Sequence, residues 1–399
     1  MSQVMRAYEE SKERGWDAPD KFVCTECVGD SFLKDIVKEN CASNQCSYCG
    51  KSSSENIAAP VEDIMPAISS GLHYYYNDPD SAGVPYEGGY VFEPTTTEEA
   101  LLNISFEAHD DLFEDVVASF HNTLWTETAG GHWASTHLSD SMNSAWKKFV
   151  HTVKHECRYF FSAIPGDEIF PEDLPPTSLL KALGSMVSEL ILYEMMSADT
   201  DIYRVRTRDE DASWPLDFDQ LGPPPNERAN AGRMNPAGIS YFYLAKDSQT
   251  AFAEVISKPP CNAALARFKT KKDLRILNLC DFPEIPSIFD EEGHQKRELI
   301  YFLLDFVKQI SQPVSKNGQE HIDYVASQIV SEFFAKEFRT EGGERIDGLT
   351  YPSSIRPGGV NVILFPPVKG FAGFKDLASL ESFKVVSIDD WNKAFVVIK

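Results

Sequence analysis

The sequence predicts an α+β protein in which a short cysteine knuckle and a mainly helical domain precede a C-terminal module of mixed strands and helices. Three observations predict it. Two Cys-x-x-Cys pairs stand within the first 50 residues. Apolar residues then recur at helical spacing as far as Ser197. From Asp201 the texture changes to short apolar and β-branched runs, the mark of strands. The segments implied are 1–55, 56–199 and 200–399.

The first segment holds Cys24-Thr25-Glu26-Cys27 and Cys46-Ser47-Tyr48-Cys49, with 18 residues between the pairs. The opening MSQVMRAYEESKERGWD lacks the apolar core of a secretory signal, so a cytoplasmic protein is expected. There, paired cysteines favour metal over disulfides. Cys24, Cys27, Cys46 and Cys49 can give four thiolates to one tetrahedral Zn²⁺, which leaves no open position and so makes the site structural. Gly29 and Gly50 follow the pairs closely, as tight turns around a metal require. Cys41 is a spare thiol that could replace one ligand. Cys157, Cys261 and Cys280 stand alone and read as small buried hydrophobes.

In the second segment, Asp111–Trp125 carries Leu112, Val116, Phe120 and Leu124 at helical spacing. Ser144–Phe161 and Thr177–Met196 read as further helices, and the proline- and acid-rich Ile164–Pro176 as a linker. In the third, strands are expected at 239–245, 274–279, 349–351, 360–365, 383–388 and 395–398, with a helix over Ile322–Phe334. Strands mixed with a few helices give the α+β assignment.

Charge is unevenly placed along this chain of net −24. Residues 1–200 hold 12 Lys and Arg against 33 Asp and Glu, while 201–399 hold 25 against 28. An acidic front half repels a polyphosphate backbone, which disfavours direct nucleic-acid binding. It serves either as a solvated surface or as a docking face for a basic partner. No apolar run approaches the roughly 20 residues of a membrane span, so no membrane partner is expected.

The densest chemistry lies in residues 202–254. Arg204 follows Tyr203 at the start of a strand, with Arg206 two places on. A Gly-Arg-Met-Asn-Pro-x-Gly turn at 232–238 offers backbone amides and the Arg233 fork, a combination that suits phosphate. A strand then delivers Tyr243, and the helical DSQTAFAEV carries Glu254. Later, a strand ending in Tyr351-Pro352-Ser353-Ser354 exposes hydroxyls at its rim, and a glycine turn leads to Asn361.

In order and spacing, Arg204, the GRMNPAG turn, Tyr243, Glu254 and the YPSS…GGVN segment resemble the RES domain over about residues 201–366. The stretch 144–161 and the CSYCG knuckle resemble the HEPN/RES-type N-terminal domain fused to some RES proteins. The resemblance implies a fold similar to diphtheria-toxin-like ADP-ribosyltransferases and an activity that degrades NAD⁺, as in the family's bacterial toxins. It implies Arg204, Glu254 and Ser353 as the catalytic set, with Arg206 and Ser354 as alternative registers. Arg233, Tyr243 and Asn361 become substrate-binding residues. No histidine lies between His155 and His294, so the arginine takes the place where related transferases use histidine.

Three functions follow as expectations. The first is cleavage of the nicotinamide–ribose bond by hydrolysis or phosphorolysis, in a toxin or defence effector controlled by its front half or by an antitoxin or regulatory protein. Self-association into a homo-oligomer is a further option. The second is ADP-ribosyl transfer to a protein or nucleic acid, and the third a non-enzymatic zinc-knuckle adaptor. A nuclease role of the helical domain is disfavoured. Related domains use an Arg-x₄₋₆-His pair, and residues 100–200 hold only Arg158, with no histidine at that spacing.

Overall fold

The computed structural model describes residues 11–159, 175–208, 217–256, 261–312 and 320–388. These divide into two compact units, one up to Asp140 with Glu284–Tyr301, the other Ser141–Pro283 with Phe302 onward.

In the first unit, β1 (Phe22–Cys24) pairs antiparallel with β2 (Ala58–Pro60), Phe22 opposite Pro60. Ser47 fastens the second cysteine turn to β1 twice, through its N–H to the Phe22 carbonyl and through its Oγ from the Phe22 N–H. Between the two cysteine turns runs α1 (Ser31–Glu39), started by Asp30, whose carboxylate accepts from the Phe32 and Leu33 N–H groups. α2 (Val61–Tyr75) buries Ile64, Met65, Ile68 and Leu72, one face of a 3.6-residue period. A three-stranded sheet of β3 (Tyr76–Asn77), β4 (Thr95–Thr96) and β5 (Leu124–Glu127) has β5 in the middle. α3 (Thr97–Asn103) opens on a capping box of Thr96 and Glu99, and α4 (Asp110–Ser119) follows. These faces meet in one core with Trp125 and Phe289, each buried side chain contributing about 1.5–3 kcal/mol. The Trp125 indole N–H donates to Thr97 Oγ1 at 2.9 Å, so its one polar atom is satisfied.

Helical spacing overreached here. The helix expected over Asp111–Trp125 stops at Ser119, Phe120 turns extended, and Leu124 begins a strand with its side chain exposed. Trp125 is buried in a strand that pairs with β3 and β4, Trp125 opposite Thr95. Tertiary pairing outweighs the local period.

The second unit holds the C-terminal strands and the helices around them. α5 (Leu138–His151) ends in one π-helical stretch, Thr152–Glu156, and Phe160–Phe161 of the expected helix lie outside the described residues, as do most of the expected linker and the 395–398 strand. Trp146 of α5 meets Phe306 edge-on at 4.9 Å, and its indole N–H donates to Gln309 at 3.1 Å. α6 (Pro176–Glu189) is shorter than the expected Thr177–Met196, because Ile191 adopts φ 52° and Tyr193–Met196 becomes strand β6. The compact units thus cut the chain near Asp140, ahead of the composition change near residue 200, since these helices pack with later segments.

Strands β7 (Asp201–Arg208), β8 (Phe242–Ala245), β9 (Cys261–Thr270), β10 (Leu274–Asn278), β11 (Gly348–Pro352), β12 (Val360–Leu364) and β13 (Ala378–Ile388) join β6 in one eight-stranded sheet. Its order is β13-β9-β7-β8-β12-β11-β10-β6, antiparallel except for the parallel pair β10–β11. A Cβ on Gly348 would sit 2.2 Å from the Ile363 carbonyl oxygen, so only glycine fits there. Short α7 (Phe218–Leu221) and α12 (Phe374–Leu377) lie over a core of Ile202, Phe242, Phe268, Ile276 and Val362. α8 (Ser248–Val255) places Phe252 in a second cluster with Val205 and Ala245. α9 (His294–Ser311) is followed by the expected helix over 322–334, which is broken at Tyr324 into α10 (Glu320–Asp323) and α11 (Val325–Lys336).

One feature of this sheet sets up the site. β7 pairs with β9 along eight residues, yet meets β8 at a single position, Tyr203 opposite Ala245. Beyond that point the two strands part.

Candidate active site and cysteine centre

A cavity of about 260 Å³ opens where β7 and β8 part. Its walls include Tyr203, Arg204 and Val205 of β7, Tyr243 of β8, Glu254 of α8, Tyr351 of β11 and Asn361 of β12, with Arg233 and Tyr324 from the connections. Tyr203, Ala245, Asn361 and Tyr351 stand in one register row across four strands, which is how the sheet gathers residues distant in sequence.

Glu254 is positioned with unusual economy. Ser353 Oγ donates to its Oε1 at 2.6 Å and Asn361 Nδ2 donates to the same oxygen at 2.8 Å. Ser353 Oγ itself accepts from the Ile355 and Arg356 N–H groups, which directs its proton at the carboxylate. No described residue bonds Oε2 of Glu254. The carboxylate is therefore oriented by one oxygen and offers the other to a ligand.

Arg204 presents the opposite charge. Its Nη1 is sealed from solvent and has no hydrogen-bond partner among the described residues. The guanidinium lies 5.6 Å from the Phe242 ring centre. Burial first, and the charge of Arg206 second, push its pKa down to about 9. A half-buried cation with a sealed, unpaired Nη1 is costly, and an anionic ligand relieves that cost. Arg206 donates to the Gly222 carbonyl at 3.1 Å and is not among the cavity walls, so of these two strand arginines Arg204 is the one at the cavity.

The other residues singled out from the sequence are placed as follows. Ser353 bonds Glu254, whereas Ser354 is exposed and lines a neighbouring cavity. Arg233 lines the first cavity, but its Nη1 donates to the Ile310 and Gln312 carbonyls at 2.9 and 2.6 Å, at the end of α9. Three amides of the glycine turn are spent internally: Gly232 N–H bonds the Asn235 carbonyl, Met234 N–H the Tyr243 hydroxyl, and Gly238 N–H the Ala229 carbonyl. That corrects the expectation that these amides face a phosphate. A Cβ on Gly232 would lie 2.6 Å from the Tyr243 hydroxyl, so the turn needs glycine to close.

Tyr243 has a structural bond as well as a cavity wall, since its hydroxyl donates to Asn235 Oδ1 at 2.7 Å. Tyr243→Phe leaves that oxygen and the Met234 N–H unpaired, and is expected to cost about 1–3 kcal/mol. A thermal unfolding scan checks this; an unchanged midpoint would show that the hydroxyl is spare.

Three residues escaped the sequence reading. Tyr324 lines the cavity because the helix breaks there, which no periodicity foretells. Tyr351 read as simple strand, yet it is buried against the cavity, and burial followed by the Glu254 charge raises its pKa. Arg356 bonds Asp247, Thr250 and Gln249 at the start of α8, tying the Ser353 turn to the helix that carries Glu254. Asp247, the N-cap of α8, was the available signal for that tie.

In the first unit, the sulfurs of Cys24, Cys27, Cys46 and Cys49 all lie within 4.8 Å of one another. Three of the gaps are 3.8, 3.6 and 3.7 Å. A tetrahedron with metal–sulfur bonds of about 2.3 Å has edges of about 3.8 Å, so the four thiols fit a metal ion with little movement. Cys49 is exposed and the other three are buried. Cys41 donates instead to the Val37 carbonyl and stands outside the cluster. Cys157, Cys261 and Cys280 are half-buried, not fully buried as expected, and all remain free thiols. Among the described residues no helix is long and apolar enough to cross a membrane.

Two family models match the chain. The model for HEPN/RES N-terminal domain 1 matches residues 39–166, and the RES domain model matches residues 201–383. No curated protein matches the chain. All of Arg204, Arg233, Tyr243, Glu254, Ser353 and Asn361 fall inside the second match.

Proposed function

Since the chain is a RES-domain protein with a HEPN/RES-type N-terminal domain, we propose that its cavity cleaves the nicotinamide–ribose bond of NAD⁺. The RES domain is consistent with a toxin-type, NAD-related function. The observation that carries the finer reading is that one cavity is lined both by Arg204, whose sealed Nη1 has no partner among the described residues, and by a Glu254 carboxylate held by Ser353 and Asn361.

The chemistry runs as follows. The bond from ribose C1′ to the pyridinium nitrogen breaks, and its electron pair neutralises the ring, so nicotinamide leaves without needing a strong acid. The ribose passes through an oxocarbenium-like transition state. Glu254, fixed before substrate arrives, stabilises that cation and holds a ribose hydroxyl. Arg204 takes the substrate's anionic pyrophosphate, and Tyr243 and Tyr351 supply aromatic walls for the leaving ring. Water or phosphate then adds to C1′ and gives up a proton. On the same reading the sheet belongs to the ADP-ribosyltransferase-like fold.

We assign Zn²⁺ to the four cysteines, where it would act as a structural pin and not in the reaction. An NAD⁺-degrading enzyme depletes its own cell. Restraint by an antitoxin or regulatory protein, or through the acidic front half, is therefore part of the proposal.

The test is purified protein with NAD⁺ labelled in its adenylate half. Nicotinamide should be released, with the label recovered as free ADP-ribose for hydrolysis or as its phosphate for phosphorolysis. Label on a protein or nucleic acid in added lysate would turn the reading into transfer. Absence of release with phosphate and metal ions varied would sink the reading.

A further inference from the structure

We propose that the first unit holds a binding site for a small organic cation, an amine or a guanidine, in a cavity beside its three-stranded sheet. This cavity shares no wall residue with the one at β7 and β8, and its test does not depend on the chemistry there.

Charge along the chain sets the sign of the ligand. Residues 52–146 hold 16 Asp and Glu and no Lys or Arg. That segment alone supplies the walls of a cavity of about 590 Å³, among them Tyr75, Tyr76, Glu127, Trp133, His137 and Asp140. An anion finds no fixed positive charge in such a wall, whereas a cation finds two carboxylates. Neither Glu127 nor Asp140, both exposed, has an ion pair among the described residues. Arg297 of the same unit is not in the wall, and its Nη1 donates to the Pro286 carbonyl at 2.7 Å.

The wall is built before any ligand arrives. Tyr76 stands opposite Glu127 in the β3–β5 pair, and Asn103 at the end of α3 donates to the Tyr76 hydroxyl at 3.0 Å. The Thr128 N–H donates to the Tyr75 carbonyl at 2.8 Å. The Tyr75 ring lies 4.6 Å from that of His137, and its hydroxyl donates to the buried Glu298 carboxylate. Glu298 also accepts from the Ser139 N–H at 3.0 Å, which fixes the chain between His137 and Asp140. Trp133 rests against Phe92 at 5.6 Å. One group of the wall is left over. Oγ1 of Thr128, a residue of 4% exposure, has no partner among the described residues. Amines and guanidines bring the N–H donors that such an oxygen lacks.

Two further observations narrow the cation. Among the described residues, only the four cysteines form a group of three or more ligating side chains close enough to hold a metal ion. Glu127, His137 and Asp140 are therefore not a metal set. Carboxylates spread along a wall with three aromatic rings suit an extended cation, whose charge rests on ring faces while its N–H groups reach oxygens. The volume of about 590 Å³ also falls within the roughly 300–1,000 Å³ of small-molecule sites.

The probes are agmatine and spermidine, titrated calorimetrically into the full-length protein, with glutarate as the anionic control. Salt at about 0.15 M screens loose attraction to an acidic surface. At least one of the two cations is expected to bind with one molecule per chain, and glutarate not at all. Glu127→Gln removes an exposed charge without touching the core, and should weaken that binding roughly tenfold or more. Glu114→Gln removes the same charge from α4, outside the cavity, and should leave binding unchanged. Failure of both cations to bind, or binding indifferent to Glu127→Gln, overturns the proposal. Equal weakening by Glu114→Gln, or equal binding of glutarate, overturns it too, since either would mean that no built site selects the cation.

Discussion

Glu254→Gln is expected to reduce nicotinamide release by about 10²–10³-fold, the loss typical of removing one preorganised electrostatic partner of a transition state. The substitution is nearly isosteric. Its amide oxygen still accepts from Ser353 and Asn361, the two donors that hold Oε1 in the native carboxylate. What disappears is the negative charge at Oε2, the atom no described residue bonds. Ground-state binding of NAD⁺ relies mainly on the arginine side of the cavity, so losing the ribose-hydroxyl contact at Oε2 changes it far less than turnover. The loss therefore falls chiefly in kcat. Single-turnover release together with equilibrium binding separates the two. A variant retaining a tenth of wild-type turnover would remove Glu254 from the centre of the mechanism.

The second large effect concerns the cysteine centre. Cys46→Ser is expected to lower bound metal well below one ion per chain and to unfold the first unit at ordinary temperature. Structural Zn²⁺ supplies apparent binding free energies of roughly 10–16 kcal/mol, which in small metal domains are folding free energies. Cys46 is the most buried of the four ligands, at 1% exposure, so no water can replace it cheaply. The cluster also holds α1 and the β1–β2 pair, because Cys24 ends β1 and Ser47 ties the second turn to it. Metal analysis and a thermal scan, with and without a chelator, read out both claims. Full metal content in the Ser variant, or an unaltered unfolding midpoint, would refute the pin.

Different physical terms set what could be read in the sequence. The cysteine pairs were legible because metal geometry demands close spacing in the chain itself. Tyr243 and Glu254 were legible as a pattern, since the strand and helix that carry them announce themselves locally through the 242–245 run and the Asp247 cap. Tyr351 and Tyr324 were not, because register across β8, β12 and β11 and a break between two helices put them at the cavity. The same limit explains β5 and β6, whose residues have apolar spacing that fits a helix as well as a strand. Only pairing with β4 and β10 decides the matter. Arg233 illustrates a subtler loss. Its residue type suits phosphate, but the Ile310 and Gln312 carbonyls already engage its Nη1.

The lone Tyr203–Ala245 contact between β7 and β8 also bears on how such an enzyme can be silenced. Each strand is bonded along its outer side, β7 to β9 over eight residues and β8 to β12 over four. The opening between them is thus a fixture of the sheet, and shutting it by deformation means stripping ladders already formed. An inhibitor, natural or designed, does better to cork the opening than to bend its frame. A cork that carries an anion to Arg204 gains from a sealed guanidinium nitrogen that no described residue answers.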